Sequence, residues 1–384
     1  MLGQQTGRTP VTSPDTLDLG FDVPARPGMT EAEVLTPALV LDLAAFERNL
    51  GKMQDRADAA GMKLRPHGKM HKSPWVAERQ LAFGATGICC QKVSEAEAFV
   101  RAGILDVLVT NQVRQPAMLD RLARLARGAK VALCVDDPGG VEAAATAAFR
   151  QDATLRLLVE VDVGAGRCGV QTPDGAVALA DMIRQSEGLR FAGIQAYHGA
   201  AQHLPDAATR KEAIALAAAR LKPVLAALKA AGIPCPVVTG AGTGTFAHEA
   251  ASGLWTELQC GSYAFMDADY TRAIGPEFEQ ALFVLTGVMS APVPGRAVCD
   301  AGLKSLSVDS GLPLVSGVEG VVYEGASDEH GTLSDPALRL KPGDKLRLIP
   351  GHCDPTANLH DWIVGLRRGK VERLIRVAAR GKSW

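Results

Sequence analysis

Between residues 63 and 263 one pattern repeats: a short apolar, β-rich segment, then an Ala/Leu/Arg-rich segment of helical spacing. The strand segments are KLRPHGK (63–69), GICCQ (87–91), DVLVTN (106–111), KVALCVD (130–136), LRLLVEVD (155–162), FAGIQAYHG (191–199), VVTGAG (237–242) and ELQCGSY (257–263). Helical segments such as 94–102, 116–127 and 206–231 lie between them. Strands that are apolar throughout, rather than alternating, suit a parallel sheet covered on both faces. Eight strand–helix repeats predict an α/β fold closed as a (β/α)8 barrel, with a doubly wound open sheet as the second reading.

After Phe265 the rhythm changes to short strands joined by Gly, Pro and Asp turns, and Leu366-Arg367-Arg368-Gly369-Lys370 reads as a hairpin turn. This predicts a C-terminal all-β domain over 276–384, a barrel over 35–275 and an irregular N-terminal arm over 1–34. The strand segment 38–43 stands outside the barrel count and is expected to join the β-domain. It precedes a helix over 44–60 that ends at Gly61. A formal net charge of -1 leaves no electrostatic footprint for nucleic acid or an acidic membrane. No apolar run approaches the ~20 residues of a spanning helix, and residues 1–16 lack an apolar signal core, so the expected location is cytoplasmic. The eight cysteines form no CxxC pair, which points to reduced, buried thiols rather than a zinc ribbon or a redox motif.

Barrel enzymes work at the C-terminal ends of their strands. The first strand ends in Arg65-Pro66-His67-Gly68-Lys69-Met70-His71-Lys72. A lysine there can be partly desolvated, lowering its pKa and making it a Schiff-base nucleophile; the alternative is a solvated basic strand end. Gln91 ends the second strand, Arg167 follows the fifth, and Tyr197 and His198 end the sixth, with Gln202 and His203 just beyond. The seventh and eighth run into Thr239-Gly240-Ala241-Gly242-Thr243-Gly244-Thr245 and Gly261-Ser262-Tyr263. Glycines let backbone N–H groups approach an anion, and Thr243, Ser262 and Tyr263 add hydroxyls. Such loops are the usual phosphate cradle of this fold, or else only tight turns. A phosphate cradle facing a strand-end lysine suggests pyridoxal phosphate. In the β-domain, His352 and Asp354 are two apart and would project together from extended backbone, with Cys353 facing away. The pair suits Mn²⁺, or Mg²⁺ with several waters; an incidental Asp-Pro bend, and zinc on Cys353, are the other readings.

Ordered segments across the chain carry a resemblance: TPALVLDLAAFERN, RPHGKMHKS, QKVSEAEAF, VDVGAGRCGV, IQAYHGAAQH, GAGTGT, ELQCGSYAFMDADY, DAGLKSLSVDSGLP, SDEHG and PGHCDPTANLHDW. With them the sequence resembles the fold-type III pyridoxal-phosphate family of D-threonine aldolase, 3-hydroxy-D-aspartate aldolase and eukaryotic-type D-serine dehydratase. The resemblance implies Lys69 as the cofactor lysine and Gln91, Arg167 and Tyr197 around the ring. It implies the turns with Gly242, Thr243 and Gly244, and with Gly261, Ser262 and Tyr263, at the phosphate. It further implies His352 and Asp354 as the metal pair, His203 as the base toward the β-hydroxyl, and a homodimer. The dehydratase branch has His-x-Cys where this chain has His-x-Asp, so the implied reaction is aldol cleavage of D-β-hydroxy-α-amino acids to glycine and an aldehyde. Dehydration, racemisation and non-catalytic cofactor binding are the alternatives.

Overall fold

The computed structural model describes residues 17–384; residues 1–16, which carry the expected start of the arm and the cytoplasmic reading, lie outside the described residues. The rest of the arm is irregular apart from one turn at Glu31–Glu33. It is tied to the C-terminal sheet by the bidentate Arg347–Glu31 pair, 2.6 Å on each arm.

The chain then enters β1 (Ala38–Asp42) and a helix, Leu43–Ala59, capped by the Asp42 carboxylate, which accepts from the Ala44 and Ala45 N–H groups. The eight barrel strands follow: β2 (Lys63–Leu64), β3 (Ile88–Cys90), β4 (Asp106–Gln112), β5 (Lys130–Val135), β6 (Leu155–Glu160), β7 (Leu189–Ala196), β8 (Val238–Gly240) and β9 (Glu257–Leu258). Every ladder among them is parallel, in the order β2-β9-β8-β7-β6-β5-β4-β3. The ring closes just past β2, where His67 bridges Cys89 and the Cys89 N–H donates to Pro66 O at 2.8 Å. The eight-strand expectation holds, but the first and last strands are shorter than expected. Pro66 has no N–H for a ladder, and 68–70 wind into a 3-10 turn, as do 262–264.

Side chains facing into the barrel fill it. Cys89, Leu108, Cys134 and Leu158 form one small apolar cluster. Arg65 pairs with Asp106 at 2.8 Å and Glu257 at 3.0 Å, and Gln195 exchanges hydrogen bonds with Gln259. The opposite strand faces join the helices in the main apolar core.

The second sheet is built from β10 (Leu282–Val293), β11 (Gly295–Cys299), β12 (Leu314–Ser316), β13 (Val322–Ala326), β14 (Gly331–Asp335), β15 (Lys345–Ile349), β16 (Trp362–Arg367) and β17 (Lys370–Arg376). β1 lies within it, antiparallel to β10 and parallel to β16. Arg368 and Gly369, both at positive φ, make the two-residue turn between β16 and β17. β1 is buried on both faces: Leu39 and Leu41 enter the main core, whereas Ala38 and Val40 enter a separate cluster with Phe283, Leu285 and Val364. One strand thereby fixes the second sheet against the barrel. Leu41→Ala removes a fully buried side chain from this joint and is expected to lower unfolding stability by about 2–5 kcal/mol. The measure is a urea midpoint, and an unchanged midpoint would show the joint to be dispensable.

Candidate active site

A polar cavity of about 190 Å³ opens at the C-terminal ends of the barrel strands. Among its walls are Lys69, Gln91, Arg167, Tyr197, His203, Gly242, Thr243, Gly261, Ser262, His352 and Asp354, drawn from both sheets. Of the expected site residues, Gly244 and Tyr263 do not line it. The Gly244 N–H is taken by Gln202 Oε1 at 3.0 Å. The Tyr263 ring is buried against Phe278, with centroids 5.7 Å apart, and its backbone N–H donates to Thr243 Oγ1 at 3.0 Å. Tyr263 thus braces the turn from behind instead of offering its hydroxyl.

Lys69 sits in the 3-10 turn Gly68–Met70, which His67 caps by accepting the Lys69 N–H on Nδ1. The Lys69 ammonium lies 3.5 Å from Asp354 Oδ2. That carboxylate raises its pKa above the ordinary lysine value, outweighing desolvation, so the lowering expected from a strand-end position does not occur in this arrangement. Burial, then the charge on Lys69, holds His67 well below its usual range, and its Nε2 meets Thr110 Oγ1 at 3.1 Å. Burial pushes His71 down to about 3, and its Nδ1 accepts from the Ser73 N–H. Both imidazoles are neutral at pH 7; His67 stands in the cavity wall, whereas His71 is fully buried away from it.

His352 and Asp354 meet, though only His352 is in extended backbone. His352 is the N-cap of the short helix Cys353–Ala357, and Asp354 lies in its first turn, with Nε2 and Oδ1 3.8 Å apart. Cys353 faces away, fully buried, its N–H donating to Asp267 Oδ2 at 2.8 Å. Asp267 also caps the helix Ala268–Ile274. It thereby ties the segment after β9 to the one after β15.

Two carboxylates that sequence reasoning passed over stand behind the histidines. Asp309 Oδ2 is 2.8 Å from His352 Nδ1, and Asp269 Oδ2 is 2.5 Å from His203 Nδ1. Burial pulls the His352 pKa down, but Asp354 and Asp309 outweigh it and the net shift is upward. Asp269 lies in the MDADY end of the segment ELQCGSYAFMDADY, so its place after the eighth strand was the available signal. Arg272 links Asp269 Oδ1 to the Ser310 carbonyl, at 3.3 and 2.9 Å.

The donor sets fit the groups the sequence points to. The N–H groups of Gly242 and Thr243 find no protein acceptor among the described residues, which suits an anion. His352 Nε2 and Asp354 offer one nitrogen and one carboxylate, and Asp309 on the far ring nitrogen selects the tautomer that leaves Nε2 free to ligate. No cluster of three or more His, Cys, Asp or Glu side chains is arranged as a metal cage among the described residues. A two-donor site suits a hard divalent ion that keeps several waters.

Two family models match the chain: the alanine racemase N-terminal domain over residues 41–269, and a serine dehydratase domain over residues 281–366. A 3-hydroxy-D-aspartate aldolase of Paracoccus denitrificans (strain Pd 1222) is 53% identical over 377 residues, spanning 96% of this chain and 97% of its own. A D-threonine aldolase of an Arthrobacter species is 48% identical, spanning 94% of this chain and 96% of its own. The crystal structure of D-threonine aldolase from Filomicrobium marinum superimposes with a TM-score of 0.92 at 47% identity, covering 94% of this chain and 100% of that one.

Asp354 raises the pKa of Lys69, so Asp354→Asn is expected to lower it and to increase the neutral amine at pH 8. In metal-free buffer, borohydride trapping of an added aldehyde on the Lys69 amine should accelerate, by roughly tenfold for each unit of pKa released. Equal trapping rates in the two proteins would remove Asp354 from the control of Lys69.

Proposed function

Because the chain belongs to the family of alanine-racemase-like barrel enzymes that includes D-threonine aldolase and 3-hydroxy-D-aspartate aldolase, we propose that it cleaves D-configured β-hydroxy-α-amino acids. The products are glycine and an aldehyde: acetaldehyde from D-threonine, glyoxylate from 3-hydroxy-D-aspartate. The observation that carries this reading is the convergence of Lys69, His352 and Asp354 on one cavity, with Asp354 3.5 Å from Lys69 and 3.8 Å from His352. A His-x-Asp pair beside the lysine suits activation of a β-hydroxyl by a hard cation, as cleavage of the Cα–Cβ bond needs.

Pyridoxal phosphate, when bound, supplies the electron sink for carbon–carbon cleavage, and a divalent ion supplies a Lewis acid. In this reading Lys69 holds the cofactor covalently. Gly242, Thr243, Gly261 and Ser262 take its phosphate, while Gln91, Arg167 and Tyr197 flank its ring. His352 and Asp354 hold Mg²⁺ or Mn²⁺. His203 takes the proton of the β-hydroxyl on Nε2. Asp269 accepts from Nδ1–H, fixing the tautomer with a free Nε2 and stabilising the imidazolium that forms. Asp309 does the corresponding work of orientation for His352.

The same reading makes the protein a homodimer of the cytoplasm. All eight cysteines are free, and no described helix is long and apolar enough to cross a membrane.

Incubation with D-threonine and with 3-hydroxy-D-aspartate, with and without chelator, is expected to give glycine and aldehyde in a chelator-sensitive manner. Ammonia and a keto acid would instead establish dehydration. Lys69→Ala is expected to abolish turnover and covalent cofactor trapping together. His203→Asn is expected to lower kcat by about 10²–10⁴-fold, the worth of a general base, while trapping at Lys69 persists. Undiminished turnover in His203→Asn would remove it from the proton transfer.

A further inference from the structure

The turn Ala200–His203 carries two neighbours with opposite destinations. His203 lines the cavity. Gln202 is fully buried and points the other way, under the glycine turn that follows β8. Its Nε2 donates to Thr245 Oγ1 at 2.7 Å and to the His198 carbonyl at 3.2 Å, and its Oε1 accepts the Gly244 N–H at 3.0 Å. Thr245 Oγ1 donates in turn to the buried carboxyl group of Glu249, at 2.7 Å. A Cβ on Gly242 would land on the Gln202 carboxamide, and one on Gly244 on the Gln202 carbonyl. These two glycines are therefore required by the approach of Gln202, whatever binds on the cavity side. The far end of the Ala200–His203 turn is pinned as well, by Arg210 Nη1 donating to the Leu204 carbonyl at 2.7 Å.

We propose that Gln202 is a positioning residue that couples the anion-binding turn 241–245 to His203, so that filling the cradle sets the place of the base. The proposal rests on the reading of that turn as the phosphate site and of His203 as the base. Its physical basis is direct. An anion held by the N–H groups of Gly242 and Thr243 restrains the turn that carries Gly244 and Thr245. Those two residues hold both ends of the Gln202 carboxamide, one residue from His203. A buried carboxamide with all its partners made resists displacement, because moving it strands the Gly244 N–H away from water.

Gln202→Met keeps the length of the side chain and removes its hydrogen bonds. Amide hydrogen exchange is followed with and without saturating pyridoxal phosphate, in the parent and in this variant. In the parent, the cofactor is expected to slow exchange about tenfold or more both in 241–246 and in 199–204. In Gln202→Met the slowing persists in 241–246 and is lost in 199–204. Cofactor affinity and KM are expected to stay within about threefold, whereas kcat falls about ten- to a hundredfold through misplacement of His203. If Gln202→Met fails to fold, Thr245→Val cuts one link with Gln202 in place. It is expected to lose part of the slowing in 199–204, and undiminished slowing there overturns the coupling. Equal slowing of 199–204 in the parent and Gln202→Met, with the cofactor trapped on Lys69 in both, overturns the coupling alone. A parent in which Lys69 cannot be trapped with pyridoxal phosphate overturns the cofactor reading and the coupling with it.

Discussion

A closed ring of parallel strands leaves no choice about where its working side chains can gather. Every ladder from β2 round to β3 runs the same way, so all eight C-terminal ends open on one side. The interior below that mouth is filled. Arg65 is held there by Glu257 and Asp106, and burial that would otherwise favour its neutral form is outweighed by their charges. A buried group of this kind adds little net stability compared with apolar packing, but loss of one partner costs about 3–5 kcal/mol. It forms a polar floor, and the cavity is confined to the rim, where the strand ends supply lysine, arginine, tyrosine and the glycine turns.

The rim is only half of the site. The second sheet contributes His352, Asp354 and Asp309, and β1 holds that sheet in place by burying one face in each core. Asp267 binds the two halves at close range by capping one helix and accepting from the Cys353 N–H. A common arrangement results on both sides of the cavity. His203 and His352 each turn Nδ1 toward a carboxylate from a distant segment, and Lys69 faces Asp354. On the two imidazoles, carboxylates placed in this way fix which ring nitrogen is free, and that nitrogen is Nε2 in both.

Much of this was legible in the sequence, for reasons that also mark where legibility ends. The barrel strands announce themselves because both of their faces are covered, and the hairpin at Arg368-Gly369 because Gly369 takes a positive φ that suits glycine. Most cavity-lining groups stand directly after a strand segment, where a barrel keeps its working residues, and position alone picks them out. Strand ends at β2 and β9 fall short of the sequence expectation, since a rim segment can be apolar and still leave the ladder. Residue type pairs His352 with Asp354, although a helix N-terminus rather than an extended strand brings them together. Tyr263 reads as a hydroxyl donor because sequence does not show which way a ring points; it points into the core. Asp269, Asp309 and Gln202 escape assignment because their partners lie 66, 43 and 42 positions away, beyond any local spacing rule.

The place of β1 has a consequence for the order of synthesis. Leu39 leaves the ribosome early, yet its parallel partner Ile363 emerges about 320 residues later. At about 5–20 residues per second, that separation amounts to roughly 16–64 s. Within that interval the barrel segments can emerge and pair among themselves, while Leu39, Val40 and Leu41 meet β10 only after about 245 residues, as Val284 emerges, and β16 only later. β1 therefore stays an apolar strand with an open edge until β16 is made, and the second sheet is completed only then.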